Sequence, residues 1–182
     1  GLVMLDISMS TTSVGLSQRL NRQEKRLPGK WILDADGRPT DDPSVIFQEP
    51  SGSILPLGGL ELGYKGFALG LLVEALTSGL CGFGRKDEPG RWGATVFLMM
   101  VNPIAFGGRE GFMQESTWLA RACLDAEPLD QKNPIRLPGQ AALRKKRQYL
   151  ETGVELDPGI LPSLENWSSK LGIPMPEPLP TK

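Results

Sequence analysis

Leu55-Pro56-Leu57-Gly58-Gly59-Leu60-Glu61-Leu62-Gly63-Tyr64-Lys65-Gly66 is the stretch on which the reading of this 182-residue chain turns. Gly58, Gly59 and Gly63 precede an apolar run over residues 67–78 that reads as a helix. Glycine lets a backbone approach a ligand closely, a helix N-terminus favours an anion, and Lys65 adds a positive charge beside both. Together these features suit a phosphate or pyrophosphate. The spacing is not GxxxxGK[ST], because Gly66 follows Lys65, and it is not GxGxxG, so the Rossmann fingerprint is missing. A surface lysine in a turn is the other reading these residues leave open.

The helix over 67–78 is apolar on nearly every face, which predicts a central position. Its one charge, Glu74, fits either a buried pair or a helix edge. Residues 79–93 read as a Gly- and charge-rich loop, and 94–101 as an apolar strand stopped by Asn102-Pro103. A helix follows over 109–124, with Phe112, Trp118, Leu119 and Ala122 along one side. Residues 134–139 are extended. A basic helix over 141–151 ends at Gly153, and Asp157-Pro158 opens a last helix through Leu161, Leu164, Trp167 and Leu171. The tail from Pro174 holds four prolines and is expected to be disordered or to lie extended on a neighbour.

Upstream, residues 2–7 read as a buried strand ending near Asp6, followed by the hydroxyl-rich Ser8-Met9-Ser10-Thr11-Thr12-Ser13 and a helix over about 14–25. Such a turn exposes free N–H groups at the helix start, which suit an anion or a plain cap by Ser10 or Ser13. Pro28-Gly29 closes that helix, residues 34–39 have turn chemistry, and Asp41-Asp42-Pro43 caps one helical turn. Strands and helices mix without a βαβ period, so the fold class expected is α+β.

The charges nearly cancel, 20 Lys+Arg against 21 Asp+Glu, so no global field recruits nucleic acid. The run Arg144-Lys145-Lys146-Arg147 reads as a solvated face. Cys81 and Cys123 lie far apart without a CxxC spacing, which fits two buried thiols and neither a disulfide framework nor a zinc site. The longest apolar stretch, 67–80, is shorter than the roughly 20 residues that span a bilayer. With no signal peptide either, a cytoplasmic protein is expected. No metal site is predicted, the carboxylates being scattered.

With no histidine in the chain, no imidazole is present to activate a nucleophile or carry a proton. Asp6 is a second candidate group, able to orient a catalytic partner or to cap the next turn. Arg136 is a third, as a planar clamp on carboxylate or phosphate or as half of a structural ion pair.

Four motifs in this order resemble one family: Leu5-Asp6-Ile7-Ser8-Met9-Ser10, Leu55-Pro56-Leu57-Gly58-Gly59, Gly63-Tyr64-Lys65-Gly66-Phe67 and Ile135-Arg136-Leu137-Pro138-Gly139. They look like the malate/L-lactate dehydrogenase family of NAD(P)-dependent oxidoreductases, which also holds ureidoglycolate, sulfolactate and diketogulonate enzymes and cyclic-imine reductases. The resemblance implies a non-Rossmann dinucleotide-binding domain with a mixed or antiparallel sheet, a homodimer, and NAD or NADP as cofactor. It places Asp6, Ile7, Ser8, Met9, Ser10 and Thr11 along the cofactor, with Gly63, Tyr64, Lys65 and Gly66 binding it again. Arg136, Gly139, Gln140 and Ala141 close over it, and Asp6 lies beside the substrate as the catalytic carboxylate.

Many relatives carry histidine where this chain has Tyr64, and some carry an aromatic. The family's catalytic Ser-His pair lies in an N-terminal helical segment that these 182 residues do not include. The chain is therefore expected to be the C-terminal half of a 2-hydroxy-acid dehydrogenase. Residues 1–130 would be part of the dinucleotide domain, 131–173 helices that pack on the missing helical domain, and 174–182 an extended tail. The whole protein would interconvert a malate- or lactate-like 2-hydroxy acid and its 2-oxo acid. The alternative expectation is a truncated, non-catalytic copy that dimerises or binds nucleotide without turnover.

Overall fold

Ile32 is the one large side chain sealed completely, and the first unit of the structure is built around it with Leu27 and Leu55. The structure, a computed structural model, describes residues 3–84, 86, 90 and 93–177. It divides into two units, residues 7–102 and residues 1–6 with 103–182.

In the first unit, helix α1 (Val14–Arg22) begins where Ser13 caps it: the Ser13 hydroxyl accepts from the Leu16 N–H at 3.1 Å. Arg19 and Arg22 close its last turn, where cations complement the helix dipole. Strands β1 (Ile32–Leu33), β2 (Pro39–Thr40) and β3 (Ser53–Ile54) form a small antiparallel sheet in the order β2-β1-β3, with Ile32 opposite both Thr40 and Ile54. Its hairpin follows from turn chemistry. The Asp34 carboxylate accepts from the N–H groups of Asp36 and Arg38 at 3.0 and 2.8 Å, and Gly37 takes a left-handed φ of 79°. Asp42 caps a 3₁₀ turn over Pro43–Phe47, as the Asp-Pro pair predicts.

Helix α2 (Gly59–Glu74) starts earlier than the apolar run suggests and breaks step at Leu62, whose φ of −120° is not helical. A π-helical turn (Ala75–Gly79) continues it. Its glycine side is buried through Gly63 and Gly66, but Leu60, Phe67, Leu71 and Leu72 stand exposed, so the expected all-round burial is not found among the described residues. Glu74 is half-buried and interacts with a neighbour, which fits the paired reading.

In the second unit, a 3₁₀ turn (Pro103–Ala105) leads into α3 (Gly108–Asp125), α4 (Gln140–Thr152) and α5 (Ile160–Leu171). Gly139 and Gly153 flank α4 with φ of 89° and 82°. Asp157 opens α5, accepting from the Gly159 N–H through its side chain and from the Ile160 N–H through its carbonyl. None of these three helices buries a residue.

Helices with a small antiparallel sheet make this an α+β chain, and no βαβ unit occurs among the described residues. Two predicted strands are corrected. Residues 3–7 are extended but form no ladder, and Val3, Met4, Leu5 and Ile7 are exposed. Residues 94–101 are likewise unpaired and bare. Both segments carry strand-like sequence, and the described residues offer them no neighbouring strand. Cys81 is exposed and Cys123 half-buried, so the buried-thiol expectation fails for Cys81. Of the loop over 79–93, residues 85, 87–89, 91 and 92 lie outside the described residues, as do 178–182 of the tail; residues 174–177 hold no regular element.

Candidate functional site

The sheet fixes the hydroxyl-rich segment. The Thr11 N–H donates to the Leu55 carbonyl at 2.9 Å, and the Thr11 hydroxyl lies 3.0 and 2.9 Å from the carbonyls of Trp31 and Leu55. One residue earlier, Ser10 bridges antiparallel to Pro56. Met9 then accepts from the Leu57 N–H at 2.8 Å, and Leu57 in turn accepts from the Gly66 N–H at 3.0 Å. Segments 45 or more residues apart in sequence are thereby laced together: residues 9–11, residues 55–57 and the glycine face of α2.

Glycine is required at Gly66. A Cβ there would come within 2.7 Å of the carbonyl oxygens of both Met9 and Leu57, closer than real side chains allow. At Gly58, with φ of 101°, an added Cβ would meet the Leu62 backbone, so this glycine is what permits the tight entry to α2. The close backbone approach inferred from sequence is real, and it is filled here by the protein's own 9–11 segment.

Around that lacing the polar groups are arranged in series. Ser8 donates to the Ser10 carbonyl at 3.1 Å, and Ser10 donates to the Thr12 carbonyl at 2.7 Å. Lys65 is exposed and ion-paired with no described residue, and the Tyr64 ring is exposed beside it. The sequence-predicted residues Ile7, Ser8, Met9, Ser10, Thr11, Gly63, Tyr64, Lys65 and Gly66 all belong to this first unit.

The remaining candidates belong to the second unit. There the Met4 N–H donates to the Pro138 carbonyl at 3.1 Å, and Gly139 passes so close to Met4 that a Cβ would lie 2.8 Å from the Met4 Cβ. Gln140 folds back to accept from the Leu137 N–H at 2.9 Å, so the turn before α4 is pinned at both ends. Ala141 is half-buried in the first turn of α4. Asp6 is exposed and accepts no hydrogen bond among the described residues. Its capping alternative is therefore set aside, the cap of α1 being Ser13. Arg136 is exposed with no ion pair among the described residues, which removes its structural-salt-bridge alternative.

Sequence reasoning missed Thr12, buried with its hydroxyl unpartnered in the described residues, and the carbonyls of Trp31 and Leu55 that anchor Thr11. The signal was available: Trp31-Ile32-Leu33 and Ser53-Ile54-Leu55 are short apolar runs on either side of the Asp-Gly turn. Among the described residues no cluster of His, Cys, Asp or Glu could hold a metal ion, and no helix is long and apolar enough to cross a membrane.

Residues 2–165 match the sequence profile of the malate/L-lactate dehydrogenase family, and the chain belongs to that family. It is 29% identical over 178 residues to an L-lactate dehydrogenase of Cupriavidus necator, a match that covers 96% of this chain and 50% of that protein. It is 32% identical over 155 residues to a (2R)-3-sulfolactate dehydrogenase (NADP(+)) of Chromohalobacter salexigens, covering 80% and 42%. The malate dehydrogenase structure from Entamoeba histolytica shares the fold at a TM-score of 0.84 and 20% identity, covering 96% of this chain and 52% of that one. The chain thus spans about half the length of the curated relatives it matches.

Proposed function

We propose that this chain carries the nicotinamide-dinucleotide-facing part of an oxidoreductase that interconverts a malate- or lactate-like 2-hydroxy acid and its 2-oxo acid. The observation that supports this most directly is the lacing of residues 9–11 onto Leu55, Leu57 and Gly66, which sets a hydroxyl-rich strip beside an unpaired Lys65 and an exposed Tyr64 ring.

These residues fit a dinucleotide. Lys65 offers a free cation to a pyrophosphate, the Ser8–Ser10 hydroxyls and nearby backbone offer hydrogen bonds, and Tyr64 offers an aromatic face to a planar ring. NAD or NADP would be held by Ile7 to Thr11 and by Gly63 to Gly66. Arg136, Gly139, Gln140 and Ala141 close over it and Asp6 stands beside the substrate. When bound, the cofactor gives or accepts the hydride. Asp6, an exposed carboxylate without a hydrogen-bond partner, is free to orient a proton-carrying group. A carbonyl that accepts hydride needs a proton, and with no histidine among these residues that donor comes from the half of the fold not spanned here.

In this reading residues 1–130 belong to a non-Rossmann dinucleotide domain, 131–173 form helices that pack on a helical domain outside this chain, and 174–182 are an extended tail. The working protein is a cytoplasmic homodimer. The absence of histidine also favours a second reading for this chain by itself: binding of nucleotide without turnover. Calorimetric titration with NADH and NADPH, followed by an absorbance assay with malate and lactate, tests both. Saturable binding without turnover is expected. Turnover by this chain alone contradicts the assignment of the proton donor, and absence of binding contradicts the cofactor assignment.

A further inference from the structure

Val96-Phe97-Leu98-Met99-Met100-Val101 is an extended six-residue run with no polar side chain. Val96, Leu98 and Met100, which alternate to one face, are 83%, 81% and 89% exposed; Phe97, Met99 and Val101 on the other are 44%, 70% and 61% exposed. Its main-chain N–H and C=O groups pair with no described backbone. A run with both faces apolar has the sequence of a strand covered on both sides, and unpaired main-chain groups beside apolar side chains are costly. The segment is nevertheless anchored: the Thr95 hydroxyl lies 3.2 Å from that of Ser78, in the π-helical turn that continues α2.

The size of the bare surface says what kind of occupant is needed. The chain exposes 15476 Å². Surface–mass scaling gives about 10,400 Å² for two separate folded halves of a chain this size, so about 5,000 Å² is excess however the units are placed. Obligate interfaces bury about 2,000–5,000 Å² counted over both partners, so the excess on this one chain outruns a dimer contact and matches a core divided in two. A second copy pairing its own 96–101 with this one would close a single edge and leave both faces bare.

We infer that residues 96–101 are an interior β-strand, paired on its edges and covered on its faces by the half of the family's fold that this chain does not span. The chain uses 96% of its length to match half of the Cupriavidus necator L-lactate dehydrogenase. The other half of that fold is the polypeptide whose apolar strands and helices are without partners here. The inference rests on family membership and bare surface, and it holds whether or not the proposed dehydrogenase chemistry does.

The test is hydrogen–deuterium exchange on the full chain, alone and after co-refolding with the half of the Cupriavidus necator protein that it does not match, with sedimentation of each sample. Alone, the amides of 97–101 should exchange at the unstructured rate while the amide of Leu55, bonded to Trp31, is slowed. In the mixture a one-to-one complex should form and 97–101 should slow by at least about 100-fold, the factor that about 2.7 kcal/mol of opening free energy imposes. Leu98→Lys with Met100→Lys should abolish the complex and leave the protection at Leu55 intact. A dimer of the chain alone that protects 97–101 overturns the inference in favour of a second copy. Failure of the mixture to protect 97–101 overturns it as well. No dinucleotide is present in either sample, so the outcome is separate from the cofactor reading.

Discussion

Thr12 is a buried residue whose hydroxyl finds no partner among the described residues. An unmet buried hydroxyl is a cost that an isosteric methyl removes. Thr12→Val should therefore leave the fold intact and raise the free energy of unfolding by about 1 kcal/mol, read from urea denaturation. Gly66 presents the opposite case. Its missing Cβ is the space taken by the carbonyls of Met9 and Leu57, so Gly66→Ala must push backbone aside and should cost about 1–3 kcal/mol by the same measurement.

Asp42 carries the one resolved pH signature. Hydrogen bonding from the Ser44 backbone, then from its side chain, with the Arg26 guanidinium 3.0 Å away, holds its carboxyl below the ordinary value of 3.8. Because the folded form favours the ionised group, its stabilisation is fully present above 3.8 and is lost as the pH falls through the lower folded value. Asp42→Asn should flatten the acid limb of stability against pH in that window and leave the alkaline limb unchanged. At this scale the sequence was informative about Lys65 and the glycines, because a positive φ or a close approach demands a particular residue type. It was silent about which of Asp6's or Arg136's alternatives holds, since that depends on partners set by folding.

Elements were legible where local chemistry decides them. Ser13, Asp42-Pro43, Gly153 and Asp157-Pro158 all mark boundaries the structure keeps. Ser13→Ala should lower stability by about 1 kcal/mol through loss of the 3.1 Å bond to the Leu16 N–H, with the loss confined to α1 in an exchange experiment. Strands were less legible. The two-residue strands β1, β2 and β3 are too short for alternation to show. The two long apolar runs, 3–7 and 94–101, have strand sequence but no ladder, because a strand is completed by a neighbour that its own sequence does not encode. Helix α2 was placed correctly as an apolar helix, but burial of its outer residues depends on what packs outside it.

On the scale of the whole molecule, the α+β class and the family follow from motifs spread along the chain, and residues 2–165 carry them. Burial did not follow, because apolar sequence states what must be covered and says nothing of whether the cover is present. The exposed surface of 15476 Å² makes the isolated chain prone to self-association, which should rise with salting-out anions and be visible by light scattering. The central claim is narrower: residues 7–11 and 63–66 together hold a nicotinamide dinucleotide.

The measurement that tests it most directly is the dissociation constant for NADH and NADPH of the full chain and of Lys65→Ala, by calorimetry at two salt concentrations. Saturable binding that weakens about 10-fold on losing the lysine, and whose salt dependence shrinks with it, is the predicted result. Unchanged affinity in Lys65→Ala, or no saturable binding by the folded wild-type chain, would contradict the account.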